Sequence, residues 1–287
     1  MQSVREKLSY ALDGLQKRFH QKRVCPSCGS VSGSIVSVKF PYNLYECEDC
    51  GLGYRWPTET AQDMKEFYQD DYEQDGLTTD LPTDSELDAM IKDGFGEKDF
   101  TRHIDLFRLL GAADGDRVLD FGANWGYGVY QFNRAGFDAT GYEISKPRAR
   151  FGLKLDVGVL TDWQDVSERP PFDIVFSSHV LEHTPNPQTA IKDMLGVLKP
   201  GGLFVSVFPN GSSAFRSDDP ERFKKLWGKV HPVMLNDVFL KQIFADCPLY
   251  LGSLENGNIE EVKAWDQASN GSGTLTGPEL LVIARKR

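Results

Sequence analysis

Residues Pro171–His183, with the sequence PFDIVFSSHVLEH, and residues Leu198–Val205, with the sequence LKPGGLFV, decide the fold of this chain. Each stretch predicts a buried strand, near 172–177 and 202–208, because a short apolar run lies between turn residues. The segment that joins them fits a helix near 187–198. A strand, a helix and a second strand in this order are typical of a mostly parallel sheet covered by helices.

The same alternation of strands and helices extends in both directions, from Arg117 to the end of the chain. Further strands are predicted near 117–121, 138–143, 156–159, 249–254 and 279–285. Further helices are predicted near 98–110, 126–135, 146–154 and 234–246. The predicted fold class is therefore α/β, with a main sheet of seven strands.

Two earlier segments place polar groups where predicted strands end. Val118–Gly128, with the sequence VLDFGANWGYG, is an apolar strand that ends near Asp120 and continues into a glycine-rich turn and a helix. Gly122 lets the backbone approach a ligand, and the Asp120 carboxylate would receive a positive group. Glu143 follows the next strand, at the place where an acidic residue accepts ribose hydroxyls. These two segments alone fit NAD and S-adenosylmethionine equally well.

Because all four segments occur in this order, the sequence resembles class I S-adenosylmethionine-dependent methyltransferases, most clearly over residues 115–210. The resemblance implies a Rossmann-like, seven-stranded methyltransferase sheet and S-adenosylmethionine as cofactor. It also implies cofactor contacts at ten positions: Asp120, Gly122, Ala123 and Gly126 for the methionine end, Glu143 for the ribose, Ile144, Asp162 and Trp163 for the adenine, and Ser178 and His179 along the cofactor. The sequence departs from the family pattern at Asn124, which replaces a glycine but tolerates a positive φ better than most residues.

Four of the five cysteines form two closely spaced pairs near the N-terminus. Cys25 and Cys28 make one pair, Cys47 and Cys50 make the other, and each pair ends in a glycine. Two such turns bring four thiolates to one tetrahedral ion, which predicts a structural zinc ribbon over residues 25–56 with no open coordination position. A redox pair and disulfides are the alternatives, but a redox motif needs only one such pair, and disulfides are rare in a chain without an export signal.

Transfer of a methyl group to a hydroxyl needs a base, and two histidines are candidates for it. His231 lies in a long connection between the fifth strand and the next helix, and long loops are often functional. The aromatic residues of this connection, Phe215, Phe223 and Trp227, are interpreted as a stacking surface for a sugar or another ring. His183 follows the strand near 172–177 and is the second candidate, although a structural role competes there.

Charge is distributed unevenly along a chain whose formal net charge is −10. Residues 57–100 contain 14 Asp or Glu and three Lys, a balance that disfavours binding to nucleic acid. Residues 4–19 predict an amphipathic basic helix that packs on the ribbon or on the main domain, with peripheral contact to an anionic membrane as the alternative. The predicted division is a helix at 1–24, the ribbon, an acidic helical or lid region at 57–110, and the methyltransferase domain at 111–287.

The sequence favours an enzyme that O-methylates a sugar or another small hydroxylated acceptor, in a surface polysaccharide or a secondary metabolite. One alternative is an RNA methyltransferase that docks through the ribbon, and another is a non-catalytic cofactor-binding protein. No apolar run reaches the 18 to 20 residues that cross a bilayer, so we expect a soluble, cytoplasmic protein that contacts the inner membrane at most peripherally. The acceptor and the oligomeric state are left open.

Overall fold

The N-terminal part of the chain is a helix followed by a small antiparallel sheet. The computed structural model describes residues 4–58, 80–253 and 259–287. The first elements are helix α1 (Val4–His20) and strands β1 (Gly33–Lys39), β2 (Tyr42–Cys47) and β3 (Gly53–Trp56). Strands β1 and β2 pair antiparallel, as do β2 and β3, so a short hairpin lies between the two cysteine pairs.

Helix α1 packs against the turn between β1 and β2. A Cβ atom added to Gly14 would lie 2.6 Å from side-chain atoms of both Pro41 and Tyr42, so only a residue without a side chain fits there. Two apolar residues of the helix, Leu12 and Phe19, remain exposed. Among the residues that the structure describes, no helix is long and apolar enough to cross a membrane. Contact of α1 with a lipid surface stays a prediction.

Part of the acidic region, residues 59–79, lies outside the described residues. The remainder contains α2 (Asp84–Asp93), a 3-10 turn (Gly96–Lys98) and α3 (Thr101–Leu109). Helix α2 begins with a capping box, in which the Thr83 side chain accepts from the Glu86 N–H while the Glu86 carboxylate accepts from the Thr83 N–H. The predicted role of this region as a lid stays a prediction.

The main sheet contains the seven predicted strands and one additional two-residue strand at its edge. The strands are β4 (Arg117–Phe121), β5 (Asp138–Tyr142), β6 (Val159–Leu160), β7 (Phe172–Ser178), β8 (Leu198–Pro209), β10 (Leu249–Ser253), β11 (Gly271–Ser272) and β12 (Glu279–Arg285). The ninth strand in chain order, β9 (Val233–Met234), belongs to the small sheet and pairs with β3. The expected α/β, Rossmann-like fold class is confirmed.

The order of the main sheet is β11-β10-β12-β8-β7-β4-β5-β6. Strands β4 to β8 run parallel, and β12 pairs antiparallel with both β8 and β10. The chain leaves β4 toward one side of the sheet and later returns to its other side with β7. In open sheets of this kind ligands bind at the carboxyl ends of the strands beside such a switch point.

Short helices cover the sheet and connect its strands. They are α4 (Tyr127–Arg134), α5 (Lys146–Phe151), α6 (Trp163–Ser167), α7 (Pro187–Gly196), α8 (Ser213–Asp218), α9 (Pro220–Leu226), α10 (Asp237–Ile243) and α11 (Ile259–Lys263), with 3-10 turns at Gly152–Leu155 and Leu181–His183. Alternate residues of each central strand face opposite cores: Leu119 packs on one side of β4 and Val118 on the other. The core that contains Leu119 also contains ribbon residues such as Cys47 and Tyr54, so the two sheets share it.

The interpretation of the aromatic connection as a stacking surface is wrong. Phe215, Phe223 and Trp227 are 1%, 2% and 1% exposed and form a small core with Tyr42 and Leu44 of the ribbon strand β2. Their rings are therefore unavailable to a sugar, because they attach the connection to the N-terminal sheet. The long loop expected there is largely ordered as α8, α9 and β9.

Candidate functional site

The glycine turn after β4 brings the backbone close to the loop that follows β7. Gly122 has a φ of +85°, and a Cβ added there would lie 2.2 Å from a methyl group of Val180. Asn124 adopts a φ of +51°, so this residue keeps the left-handed turn that the sequence put in doubt. The N–H groups of Gly122 and Ala123 both donate to the Tyr142 carbonyl. These two N–H groups are therefore already paired. A ligand on this turn would pack closely against the backbone without a hydrogen bond from either of them.

Two buried carboxylates lie at the ends of β4 and β5, where the sequence predicted them. Asp120 is 4% exposed and Glu143 is 6% exposed. Burial, with a contribution from the Glu143 charge, raises the pKa of Asp120 to about 7. A positively charged ligand group beside Asp120 would stabilise its ionised form and lower that pKa again. The site therefore suits a ligand that brings a cation to the end of β4.

Glu143 also fixes the shape of the turn. Its Oε2 accepts from the Asn124 N–H at 3.0 Å, and its Oε1 accepts from the Ser145 N–H at 2.8 Å. The Asn124 side chain in turn accepts from Arg148 at 2.7 Å. Burial raises the pKa of Glu143, although these N–H groups and the Arg148 charge oppose it. Each carboxylate oxygen has a second lone pair, so the group can accept further hydrogen bonds from hydroxyls.

The residues predicted to contact the adenine follow β5 and β6 in the chain. Ile144 is 41% exposed, and Trp163 packs edge-on against Phe121 and Tyr142, with centroids 5.6 Å and 5.2 Å away. Asp162 is the N-cap of α6 and accepts from the Gln164 N–H. These positions are compatible with the predicted roles, which stay predictions.

The remaining predicted cofactor residues lie at the start of α4 and the end of β7. Gly126 is the left-handed N-cap of α4, with a φ of +85°. Ser178 ends β7 and is half-buried. His179 follows it with a φ of +55°, an uncommon conformation for a side chain of this size.

The ring of His179 bridges two carboxylates. Its Nε2 lies 2.9 Å from Glu279 of β12, and its Nδ1 lies 3.4 Å from Glu182. Burial alone would lower the pKa of His179, but the two carboxylates outweigh it and raise the pKa to about 10. The imidazole is therefore protonated at neutral pH, and it is a poor candidate for a base.

The raised pKa of His179 makes part of the folding stability depend on pH. We expect this contribution to be complete below about pH 6.5, the pKa of an unperturbed histidine, and to disappear as the pH rises through about 10. The midpoint of thermal unfolding, measured from pH 6 to pH 10, should fall more for the wild type than for His179→Gln. Parallel curves for the two proteins would show that the ion pairs contribute nothing.

Both candidate bases meet at the end of this loop. The rings of His183 and His231 lie at a centroid distance of 4.8 Å, in an edge-on arrangement. His183 comes from the 3-10 turn after β7, and His231 comes from the segment before β9. Burial lowers the pKa of His231, although the Glu182 charge opposes the shift. A neutral imidazole at neutral pH is what a general base requires.

The small sheet holds the His231 segment in place. The Arg55 N–H of β3 donates to the Pro232 carbonyl at 2.7 Å, and Gly53 pairs with Met234 in the antiparallel register of β3 and β9. Strand β3 of the ribbon therefore forms hydrogen bonds with the segment that carries His231.

The four paired cysteines converge at the ribbon end of the shared core. Their sulfur atoms lie within 4.8 Å of one another, with Cys25 and Cys50 3.6 Å apart and Cys28 and Cys47 3.5 Å apart. Sulfurs on a tetrahedral zinc ion, with Zn–S bonds of about 2.3 Å, lie roughly 3.8 Å apart. The arrangement fits such an ion.

Sequence motifs do not reveal the environment of two carboxylates in this region. Glu182 belongs to the Leu-Glu-His segment, but its full burial beside three histidines is a property of the fold. Glu279 lies exactly 100 residues after His179 in the chain, and no sequence pattern pairs them.

Comparison with known proteins agrees with the fold. Residues 95–246 match the family model described as a methyltransferase domain. The chain is 29% identical to the ubiquinone biosynthesis O-methyltransferase of Ralstonia nicotianae over 111 residues, 35% of this chain and 47% of that protein. It is 30% identical to the 24-methylenesterol C-methyltransferase 2 of Oryza sativa over 135 residues, 42% of this chain and 36% of that protein. The chain thus spans about half the length of the first of these relatives and a smaller share of the second.

The similar solved structures are more distant in sequence. The plantazolicin methyltransferase BpumL in complex with SAH has 14% identity and a TM-score of 0.48, over 78% of this chain and 94% of that one. A SAM-dependent methyltransferase of Thermotoga maritima has 15% identity and a TM-score of 0.43, over 66% of this chain and 90% of that one. Such distant similarities have no bearing on the substrate. The family model, by contrast, matches more than half of the 287 residues, and the chain therefore belongs to the methyltransferase domain family.

Proposed function

We propose that this protein transfers the methyl group of S-adenosylmethionine to a hydroxyl of a sugar or another small acceptor. The observation that carries the proposal is the arrangement at the carboxyl edge of the main sheet. Two buried carboxylates, Asp120 and Glu143, lie there at the ends of adjacent strands. Val180 joins their turn to the loop that leads to His183 and His231. The proposed cofactor site and the proposed base would therefore lie at the same edge of the main sheet, joined by the loop after β7.

The charges of the proposed cofactor fit this surface. The α-amino group of S-adenosylmethionine is a cation that would be received by Asp120, whose burial makes it costly to ionise without such a partner. The ribose hydroxyls would donate to the remaining lone pairs of Glu143. Ile144, Asp162 and Trp163 would surround the adenine, while Ser178 and His179 would lie along the cofactor.

Methyl transfer is a displacement in which the acceptor oxygen forms a bond to the methyl carbon while the carbon–sulfur bond breaks. The electron pair of that bond stays on sulfur, and S-adenosylhomocysteine leaves as a neutral thioether. The hydroxyl proton leaves to the Nε2 of His231, our first candidate for the base, or of His183. Orientation of the two reactants supplies much of the rate in such a step.

The choice of a small hydroxylated acceptor rests on the base and on the relatives. Methylation of a hydroxyl, which stays protonated at neutral pH, needs a base that one of the two histidines can supply, and several of the curated relatives carry names of O-methyltransferases. The acidic balance of the chain is unfavourable for a nucleic-acid acceptor. A cytoplasmic location remains a prediction that accompanies this proposal.

Calorimetry and a transfer assay test the function. We expect S-adenosylmethionine to bind to the purified protein, whereas NAD should not bind. Labelled S-adenosylmethionine incubated with a panel of sugars and phenols should label at least one acceptor. Binding of NAD in place of S-adenosylmethionine would refute the proposal, and cofactor binding without transfer to any hydroxylated, amine or nucleic-acid acceptor would favour a non-catalytic binding protein.

We also propose that Cys25, Cys28, Cys47 and Cys50 hold a structural zinc ion. Four thiolates fill a tetrahedral coordination sphere, so this ion would have a folding role only. The glycine of the second pair, Gly51, accepts a hydrogen bond from Asn236, the N-cap residue of α10, at 2.6 Å. The ion would therefore stabilise the contact between the ribbon and the main domain.

Metal analysis of protein purified without chelator should find a zinc ion that the Cys47→Ser variant lacks. The variant should also unfold at a lower temperature, because metal binding contributes directly to folding. Cys247→Ser is the matched control, since this fifth cysteine is outside the cluster, and it should retain the zinc ion. Equal zinc content in wild type and Cys47→Ser would refute the assignment.

A further inference from the structure

Three potential ligand atoms converge beside the proposed acceptor position. Glu182, His183 and His231 each contribute one, and these atoms lie within 4.8 Å of one another. The Glu182 side chain is completely buried, and in the described part of the chain neither of its oxygens has a hydrogen-bond partner. A buried carboxylate in such a place is stabilised by nearby positive charge, and the His179 ring, 3.4 Å from its Oε1, supplies one such contact.

The hydrogen bonds of the two imidazoles define which ring nitrogens face the centre. Nδ1 of His183 lies 2.6 Å from the Val230 carbonyl, and Nδ1 of His231 lies 2.6 Å from the Leu226 carbonyl. Because a carbonyl oxygen only accepts, both Nδ1 atoms carry a proton, and in the neutral rings the lone pairs are on Nε2. Nε2 of His183 is 3.8 Å from Oε1 of Glu182.

When both rings are neutral, two lone pairs and one carboxylate lie close together without a proton among them. One donor nearby is Nδ1 of His179, which lies 3.4 Å from Oε1 of Glu182, while Nε2 of the same ring pairs with Glu279. A proton shared by the two imidazoles would relieve the repulsion between these groups. A divalent cation relieves the same repulsion and uses all three donors.

We infer that Glu182, His183 and His231 bind one divalent transition-metal ion, of the class that includes zinc, cobalt and manganese. Two imidazoles and one carboxylate are a common donor set for such ions. Histidine ligands almost always donate their other ring N–H to a carbonyl, a carboxylate or water, and both histidines here do so to backbone carbonyls.

The ligands are also held by elements that position them independently of an ion. Glu182 and His183 lie in the 3-10 turn after β7, and His231 is next to Pro232, which is fixed by β3. The side chain of His183 keeps 22% of its surface exposed, so the cluster is open on one side. Three protein ligands leave at least one coordination position for a ligand from that side.

This metal site deepens the proposed function and, in its catalytic role, rests on it. The lone pairs that would serve as bases would serve as ligands instead. An acceptor hydroxyl bound to the open position would release its proton more easily, to water at the exposed side of His183, because a metal ion lowers the pKa of a bound oxygen. The substrate class favoured by such a site is one with a hydroxyl that can reach the ion, such as a sugar or a catechol.

Cobalt titration of the zinc-containing protein tests the inference without cofactor or acceptor. We expect one equivalent of Co²⁺ to bind and to produce visible d–d bands without the intense near-ultraviolet charge-transfer bands of cobalt thiolates. His183→Ala and His231→Ala should each weaken this binding by about tenfold or more. His20→Ala, a change at an exposed histidine at the end of α1, should bind cobalt like the wild type.

Three results would overturn the inference: no cobalt binding by the wild type, cobalt binding that is unchanged in both cluster variants, or thiolate charge-transfer bands as the only signal. If His231→Ala does not fold, judged by circular dichroism, His231→Gln and Glu182→Gln replace it, and both should bind cobalt more weakly. A failure of the methyl-transfer assay would leave the titration unaffected, so the two proposals fail separately.

Discussion

Alanine in place of His231 is expected to lower the rate of methyl transfer by about 10²–10⁴-fold, the contribution typical of a positioned acid–base group. The acceptor hydroxyl keeps its proton at neutral pH, and the variant has no imidazole at this position to remove it or to hold an ion that does so. Steady-state kinetics with labelled S-adenosylmethionine measures the effect. The acidic limb of the pH–rate profile should disappear together with the rate.

Cofactor affinity separates this effect from a loss of fold. S-adenosylmethionine should bind to His231→Ala as it does to the wild type, because the predicted cofactor residues lie at the ends of β4, β5 and β7. His231→Gln is a second variant that can still donate a hydrogen bond to the Leu226 carbonyl. If neither His231→Ala nor His183→Ala lowers turnover by about tenfold, the acceptor is not deprotonated at this pair.

Removal of the Glu143 carboxylate is expected to weaken S-adenosylmethionine binding by roughly 10- to 150-fold, or about 1.5–3 kcal/mol, the range for hydrogen bonds to a charged group. Two ribose hydroxyls would lose their acceptor. The N–H groups of Asn124 and Ser145 would lose theirs as well, so the turn itself should loosen. Isothermal calorimetry on Glu143→Ala measures the change.

Two further variants define the cause of that change. Glu143→Gln keeps one acceptor oxygen and should bind with intermediate affinity. Asp246→Ala removes an exposed carboxylate near the end of α10 and should bind like the wild type. Unchanged affinity in Glu143→Ala would contradict the assignment of this residue to the ribose.

The alternation of strands and helices after Arg117 could be predicted from local sequence, because each central strand is a short apolar run. All seven predicted strands are present, and the ends of β4 and β12 coincide with the prediction. Asp120 and Glu143 could be predicted as well, since each follows directly from the position at which a strand ends. Helix boundaries differ by a few residues, as in α10, which begins at Asp237.

The aromatic connection could not be predicted because its partners are distant in the chain. Trp227 donates to the Ser37 hydroxyl at 3.0 Å, and the Lys39 side chain lies over its ring, 190 and 188 residues away in sequence. A segment rich in aromatic residues can form either a ligand-binding surface or part of a core, and its composition does not distinguish the two. Only the presence of β2 opposite these rings decides between the two.

The convergence of the histidines was also beyond a local pattern. His183 and His231 could each be named as candidates, but their mutual contact depends on the pairing of β3 with β9. Glu182 was recognisable as part of a motif, whereas its burial without a hydrogen-bond partner, among the residues that the structure describes, depends on elements from both halves of the chain.

The pairing of β3 with β9 implies that the ribbon and the His231 segment open together. Hydrogen–deuterium exchange would detect this, because backbone N–H groups that protect each other exchange in one cooperative unit. If the proposed zinc ion is withdrawn by a chelator, deuterium uptake should rise in peptides that cover 53–55 and 232–234 at the same rate, well before uptake rises in β4 and β7. A catalytic fragment that begins after residue 94 would lack this protection from the start and would present β9 as an unpaired edge.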